Sequence, residues 1–337
     1  VAAWLLVCAL VVAGITVVGG VTRLTRSGLS ITEWKPVAGT LPPLSAAAWE
    51  EAFAKYRDTP EYRIVNTGMT LDGFKRIFWW EYVHRLLARG IGVVFLVPFL
   101  WFLARRRIPP GYGGRLAGLF VLGGLQGLMG WLMVKSGLVD NPHVSPIRLT
   151  AHLGLAVTIF GGMLWTALSL LFPDTGPDER PARRDQWPAA RRRAYAVLAL
   201  VGLMVLTGGL VAGLKAGLAF NTWPLMNGAL VPPLLLQFDP WWWNAFENVA
   251  TVQFNHRMAA YALVAAVAML LWTVRREPSA PARARTGVHW LAGAVVVQAA
   301  LGIATLLLMV PTAVASLHQA GALVVLALAL NVAHALR

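Results

Sequence analysis

The sequence is short of cysteine and short of charge. Its one cysteine, Cys8, allows no intramolecular disulfide, so cysteine usage says nothing about redox compartment. Charged residues are 13% of the chain, against roughly 25% in a soluble domain. That deficit, with 57% hydrophobic residues and a mean hydropathy of +0.61, excludes an ordinary soluble protein. Length-to-domain arithmetic for soluble chains therefore does not apply.

What takes the place of charge is long apolar runs. A membrane span needs about 20 mostly apolar residues. Eight such runs are predicted, at 1–22, 77–103, 114–134, 149–172, 194–214, 249–273, 287–308 and 312–336. Most contain Gly, which spans tolerate better than soluble helices do. The chain begins at Val1 without an initiator Met, which predicts a short preceding piece. The first run lacks a small-residue cleavage site and has an internal counterpart, so it reads as a retained span and not a signal peptide.

Acidic residues are scarce, 15 against 29 basic, for a formal net charge of +14. Such an excess can mark a nucleic-acid binder, but its distribution here follows the spans. Arg105, Arg106, Arg107 and Arg115 lie between spans two and three. Arg180, Arg183, Arg184, Arg191, Arg192 and Arg193 lie between four and five, and Arg275, Arg276, Arg283 and Arg285 between six and seven. The opposing short loops hold only Lys135, Arg148 and Lys215. By the positive-inside rule the Arg-rich loops, and with them both termini, are cytoplasmic.

The chain uses one unit twice. Gly19-Gly20, Ser27-Gly28-Leu29, Trp34, Gly39 and Pro43 match Gly208-Gly209, Ala216-Gly217-Leu218, Trp223, Gly228 and Pro232 at an offset of 189. His84-Arg85 matches His256-Arg257, and Gln126 with Gly130 matches Gln298 with Gly302, at 172; His152 matches His318 at 166. The first half thus has 17 extra residues in its first external loop. Four spans per unit leave both units pointing the same way, as in parallel-repeat membrane proteins. The expected fold is an all-α integral membrane protein, eight transmembrane helices in two four-helix bundles related by a pseudo-two-fold axis. The N-terminal half is 1–173, the cytoplasmic linker 174–193 and the C-terminal half 194–337. The external loop 23–76 is long enough to carry short helices, for example around Ala46–Tyr56. Trp79-Trp80 and Trp241-Trp242-Trp243 fit an aromatic belt at the outer interface.

Ionisable side chains inside spans usually have a function. His84, His152, His256 and His318 lie near the outer ends of the four even-numbered spans, one pair per half. Two imidazoles at one depth on facing helices can hold a haem iron from both sides, and bundle interiors are common cofactor sites. Copper or zinc is the other reading, weakened because neither half has a third nearby His or a Cys. His143, His289 and His334 do not repeat and read as structural or solvated. Glu81 lies three residues before His84, on the same helix face, whereas its counterpart is Gln253. Only the first half therefore pairs a carboxylate with its histidine, either as an acid–base group or as a helix-start charge. Arg85 and Arg257 could pair haem propionates or snorkel to the interface, with Arg89 on the face of Arg85. Gln126 and Gln298 line a pocket or bond across helices.

Several stretches carry a family resemblance. They are Gly20-Val21-Thr22-Arg23-Leu24-Thr25-Arg26-Ser27-Gly28-Leu29-Ser30, Trp34-Lys35-Pro36, Gly39-Thr40-Leu41-Pro42-Pro43, Glu81-Tyr82-Val83-His84-Arg85, Phe254-Asn255-His256-Arg257 and Leu317-His318-Gln319. Across nearly its whole length the chain resembles the haem A synthase family, in its alphaproteobacterial and mitochondrial form. The resemblance implies an inner-membrane oxidase that converts the C8 methyl of haem O to a formyl group by successive hydroxylation and loss of water, giving haem A for cytochrome oxidase. It implies His256 and His318 as ligands of a haem b cofactor, His84 and His152 as the pair flanking the iron of substrate haem O, and Glu81 as the catalytic carboxylate. These sites would face the periplasm. It implies haem O and the lipid bilayer as partners, with haem O synthase, an electron acceptor and a second copy of the chain as candidates, and no nucleic acid. Some Gram-positive members carry an external cysteine pair that this chain lacks, which excludes electron transfer through such a pair. The competing classes are a di-haem b electron-transfer cytochrome and a parallel-repeat transporter. The transporter would predict broken helices and mid-membrane charges.

Overall fold

Apolar runs with no water to satisfy their backbone must bond internally, and here they do so as helices. A computed structural model describes residues 1–33, 38–138, 142–173 and 186–337. Among the described residues there is no strand, and eleven α-helices occur. They are α1 (Ala2–Leu24), α2 (Ala46–Arg57), α3 (Pro60–Ile64), α4 (Leu71–Ala104), α5 (Gly113–Lys135), α6 (Pro146–Leu171), α7 (Pro188–Gly213), α8 (Asn244–Glu247), α9 (Val249–Arg275), α10 (Ala282–Leu307) and α11 (Thr312–Ala335). Eight of these are long and apolar enough to cross a membrane, and they match the eight predicted spans. The protein is a multi-pass membrane protein. The Trp34-Lys35-Pro36 motif and residues 174–185 of the expected linker lie outside the described residues.

Helix ends are set by local chemistry. The Thr70 hydroxyl accepts from Gly73 N at 3.2 Å and starts α4; the Asn248 side chain accepts from Ala250 N and Thr251 N and starts α9. Pro188 opens α7, where a missing N–H costs nothing. Arg26 and Lys215, 189 apart, both take the left-handed conformation (φ 54° and 53°) just after α1 and α7, so the repeat extends to the backbone.

The chain forms two compact units, Leu10–Ala156 and Val1–Ala9 with Val157–Arg337. In the second, α7 packs on α9, α9 on α10, α10 on α11 and α11 on α7, a closed ring of four helices. Residues of α10 and α11 such as Val288, Leu291, Val332 and Ala333 are fully buried. His334 is buried there too, with Nδ1 2.7 Å from Arg283 and Nε2 3.2 Å from the Ser169 hydroxyl, a structural role. In Leu10–Ala156, α4 packs on α5, and the Thr22 hydroxyl of α1 donates to the Trp80 carbonyl of α4 at 3.3 Å.

The long loop is organised by aromatics. α2 begins at Ala46, as expected, with Ser45 as its cap. Phe53, Tyr56, Phe74, Phe78 and Tyr82 form a buried cluster that seats α2 on the first turns of α4. Phe74 is central, its ring 5.1 Å from that of Phe53 and 5.2 Å from that of Tyr56. Tyr56 Oη accepts from Asn66 Nδ2 at 2.7 Å, and burial pushes its hydroxyl up to about 12. The Tyr82 hydroxyl donates to the Thr40 carbonyl at 2.6 Å. Trp79, Trp80 and Trp241 to Trp243 keep exposed rings.

A Phe74→Ala substitution should remove the centre of this cluster, at a cost of about 3–5 kcal/mol. Limited proteolysis should then cut within residues 45–70 while the spans stay protected. Unchanged protease resistance would show that something else holds the loop.

Candidate functional site

Each of the four repeated histidines rests its ring on a glycine of a neighbouring span. In Leu10–Ala156, a Cβ at Gly19 of α1 would stand 2.8 Å from Cε1 of His84 on α4, and one at Gly130 of α5 3.0 Å from Cε1 of His152 on α6. In the other unit, a Cβ at Gly208 of α7 would stand 3.3 Å from Cε1 of His256 on α9, and one at Gly302 of α10 2.9 Å from Cε1 of His318 on α11. His152 lies within electrostatic reach of His84, and His256 of His318. Each unit therefore holds one pair.

The glutamines bond across helices. Gln126 Nε2 donates to the His152 carbonyl at 3.1 Å and lies 3.3 Å from His152 Nε2. Gln298 Nε2 donates to the His318 carbonyl at 2.8 Å. Both amides fix the neighbouring span at the depth of its histidine. Nδ1 of His84, His152 and His318 is buried with no hydrogen-bond partner, whereas Nδ1 of His256 lies 2.8 Å from the Thr207 hydroxyl. All four residues are partly buried. Among the described residues no three of His, Cys, Asp and Glu gather to hold a bare metal ion. Paired imidazoles with unpartnered ring nitrogens and no third ligand suit a planar iron porphyrin held from two faces better than copper or zinc.

Glu81 is buried, not solvated. Its Oε2 accepts from the Ser30 hydroxyl at 2.7 Å and from Ile31 N at 2.8 Å. Its Oε1 accepts from Arg85 Nε at 3.0 Å and Nη2 at 2.5 Å. Arg85 Nη2 also donates to the Ile31 carbonyl at 2.9 Å. The carboxylate thus ties the segment after α1 to α4, one turn from His84. Sequence reasoning paired Glu81 with His84 and missed the i,i+4 spacing to Arg85, which was visible.

The second unit repeats this clamp without the carboxylate. Arg257 Nη2 donates to the carbonyl of Phe220, the counterpart of Ile31, at 2.9 Å, and Gln253 Nε2 donates to the same carbonyl at 3.3 Å. Arg257 Nε is buried without a partner. Here the two arginines hold backbone carbonyls, a use neither sequence reading included.

A family model described as cytochrome oxidase assembly protein matches residues 2–330. The chain belongs to the cytochrome oxidase assembly protein family. Among curated relatives of this family member, the heme A synthase of Nitrosospira multiformis is 52% identical over 337 residues, covering all of this chain and 93% of the relative. That of Parvibaculum lavamentivorans is 49% identical over 333 residues, covering 99% and 93%. That of a Bradyrhizobium species (ORS 278) is 50% identical over 328 residues, covering 97% and 88%.

In this assembly protein the Glu81–Arg85 pair is nearly dry, with side chains 3% and 16% exposed. Removing one partner of a buried pair costs about 3–5 kcal/mol, whereas apolar replacement of both is often neutral. Arg85→Leu should therefore lower thermal stability in detergent sharply, and Glu81→Leu/Arg85→Leu should recover most of the loss. Equal losses in both variants would show that the loop contacts, not the buried charge, carry the cost.

Proposed function

We propose that the protein is a haem A synthase, oxidising the C8 methyl of haem O to a formyl group to supply haem A to cytochrome oxidase. The observation that carries this reading is one His pair per unit, each ring seated on a glycine, in a chain about half identical to heme A synthases over nearly its full length. That likeness favours an enzyme over a di-haem electron-transfer cytochrome.

In this reading His256 and His318 hold a resident haem b, and His84 and His152 flank the iron of substrate haem O. Haem b, when bound, supplies a redox-active iron. The fit rests on one pair of imidazoles per unit, each ring seated against a glycine of the neighbouring helix, and on the absence of a third metal-ligating side chain among the described residues. The glutamines Gln126 and Gln298 hold the ligand helices at a common depth.

Glu81 is the catalytic carboxylate in this scheme. Turning a methyl into a formyl group releases protons, and only the first unit has a carboxylate at this place. Arg85 bonds its Oε1, and the Ser30 hydroxyl, 2.7 Å from Oε2, is a route by which a proton can reach it. Glu81→Gln keeps size and polarity but cannot take a proton. It should lower the haem A to haem O ratio in cells while leaving haem b bound. Loss of acid–base help costs about 10²–10⁴-fold in rate. A wild-type ratio at equal protein level would leave Glu81 a purely structural clamp.

In this reading the protein lies in the bacterial inner membrane with both termini cytoplasmic and the histidines toward the periplasm. The fourteen arginines of the three loops set against three basic residues in the opposing loops support this. A reporter fused after Arg107 should read cytoplasmic and one fused after His143 external. The reverse result would turn the whole protein over.

A further inference from the structure

We propose that Thr207 is a positioning residue that presets His256 as an Nε2 ligand of the resident haem. This rests on the assignment of His256 and His318 to haem b. Thr207 lies on α7, one residue before Gly208, the glycine under the His256 ring. Its Oγ1 is 3.2 Å from the Met204 carbonyl and 2.8 Å from His256 Nδ1. A carbonyl can only accept, so the single hydroxyl proton goes to Met204. Oγ1 then offers a lone pair to Nδ1, which must carry the imidazole proton. Nε2 is left with its lone pair free for iron. Such an outer partner fixes both tautomer and ring orientation and raises the basicity of the ligating nitrogen.

This bond singles out His256. The rings of the other three histidines face a backbone carbonyl, of Ile15 for His84, Gln126 for His152 and Gln298 for His318, and none has a hydroxyl on its Nδ1. At the offset of 189 the residue matching Thr207 is Val18, which has the same branched shape and no hydroxyl. The ring of His84 meets the backbone of Ile15, the counterpart of Met204, with no hydroxyl between them. The two units thus differ by one oxygen atom beside equivalent ligands. In this reading the hydroxyl-held ligand belongs to the resident haem, whose other ligand, His318, has no such hydroxyl.

The test compares Thr207→Val, Thr207→Ser and His256→Ala in purified full-length protein, reading haem b release to apomyoglobin and the midpoint potential of the low-spin haem. Thr207→Val should weaken haem b retention by about 10–100-fold, the usual cost of losing an outer partner. It should also raise the potential, because a less basic imidazole stabilises the oxidised iron less. Thr207→Ser keeps the hydroxyl and should match wild type in both. The proposal falls if Thr207→Val equals wild type, if Thr207→Ser behaves like Thr207→Val, or if retention drops with no change in potential. In the last two cases packing and not the hydroxyl is responsible. Should His256→Ala keep a full low-spin haem, the ligand assignment itself is wrong and the role of Thr207 goes with it. Loss of haem in His256→Ala with none in Thr207→Val removes only the positioning role.

Discussion

An imidazole that must sit between two membrane helices needs a flat place to rest, and a glycine provides it. Any side chain at Gly19, Gly130 or Gly302 would bring a Cβ to 3.0 Å or less from a histidine ring carbon. The ring would then have to turn or the helices part. The distance between α1 and α4, α5 and α6, α7 and α9, and α10 and α11 is therefore set by one contact type used four times. Gly208 has slightly more room, 3.3 Å, and it is there that a hydroxyl has been added to hold the ring. Small residues let membrane helices approach closely in general. Here the approach places a polar ring, so packing and ligand geometry are one constraint.

The second constraint is the arginine after each first histidine. A guanidinium near the end of a span needs partners, and the peptide carbonyls of the segment leaving the preceding span supply them: Ile31 for Arg85 and Phe220 for Arg257. This joins each histidine helix to the loop above it. The halves then diverge in charge. Glu81 neutralises Arg85, whereas Gln253 leaves Arg257 cationic. Coulomb energy is large in a poorly solvated site, so a carboxylate beside Arg85 and an amide beside Arg257 give the two clamps different fields, while Arg89 adds a further cation to the first unit that Tyr261 does not add to the second.

Much of this was legible in the sequence because a membrane makes hydrophobicity informative. All eight spans were placed, and α9 and α11 begin at the predicted residues, Val249 and Thr312. The starts of α4, α7 and α10 were set five or six residues late. The missing turns carry Asp72, Lys75 and Arg76, then Arg191 to Arg193, then Arg283 and Arg285. Thr70 caps the first of them, whereas α7 and α10 begin without a side-chain cap after Trp187 and Pro281; all three project beyond the apolar stretch, which hydropathy alone does not detect. The histidine pairs were legible because the repeat marked them. The roles of their neighbours were not. Gly19 and Gly130 were visible as repeat matches, but a glycine in a span has many uses, and only the position of the ring selects one. Thr207 was invisible for the opposite reason: it breaks the repeat, since Val18 stands opposite it.

That last point reverses a habit of reading repeats. Positions that match across the halves describe what both units must do, which is to seat two imidazoles and clamp a loop. Positions that fail to match describe what each unit does alone. Besides Asn255 against Val83 and Gln319 against Leu153, three polar mismatches bear on the histidine sites: Glu81 against Gln253, Ser30 against Ala219 and Thr207 against Val18. Two of them place a carboxylate and its hydroxyl partner in the first unit, 2.7 Å apart. The third places a hydroxyl on a ligand nitrogen in the second. A group that receives protons suits a site where a C–H bond is oxidised, and a preset ligand suits a site whose occupant does not exchange. Under the proposed assignment of the two sites, side chains such as these would divide the chemistry between two copies of one scaffold, with the backbone that positions them left in common.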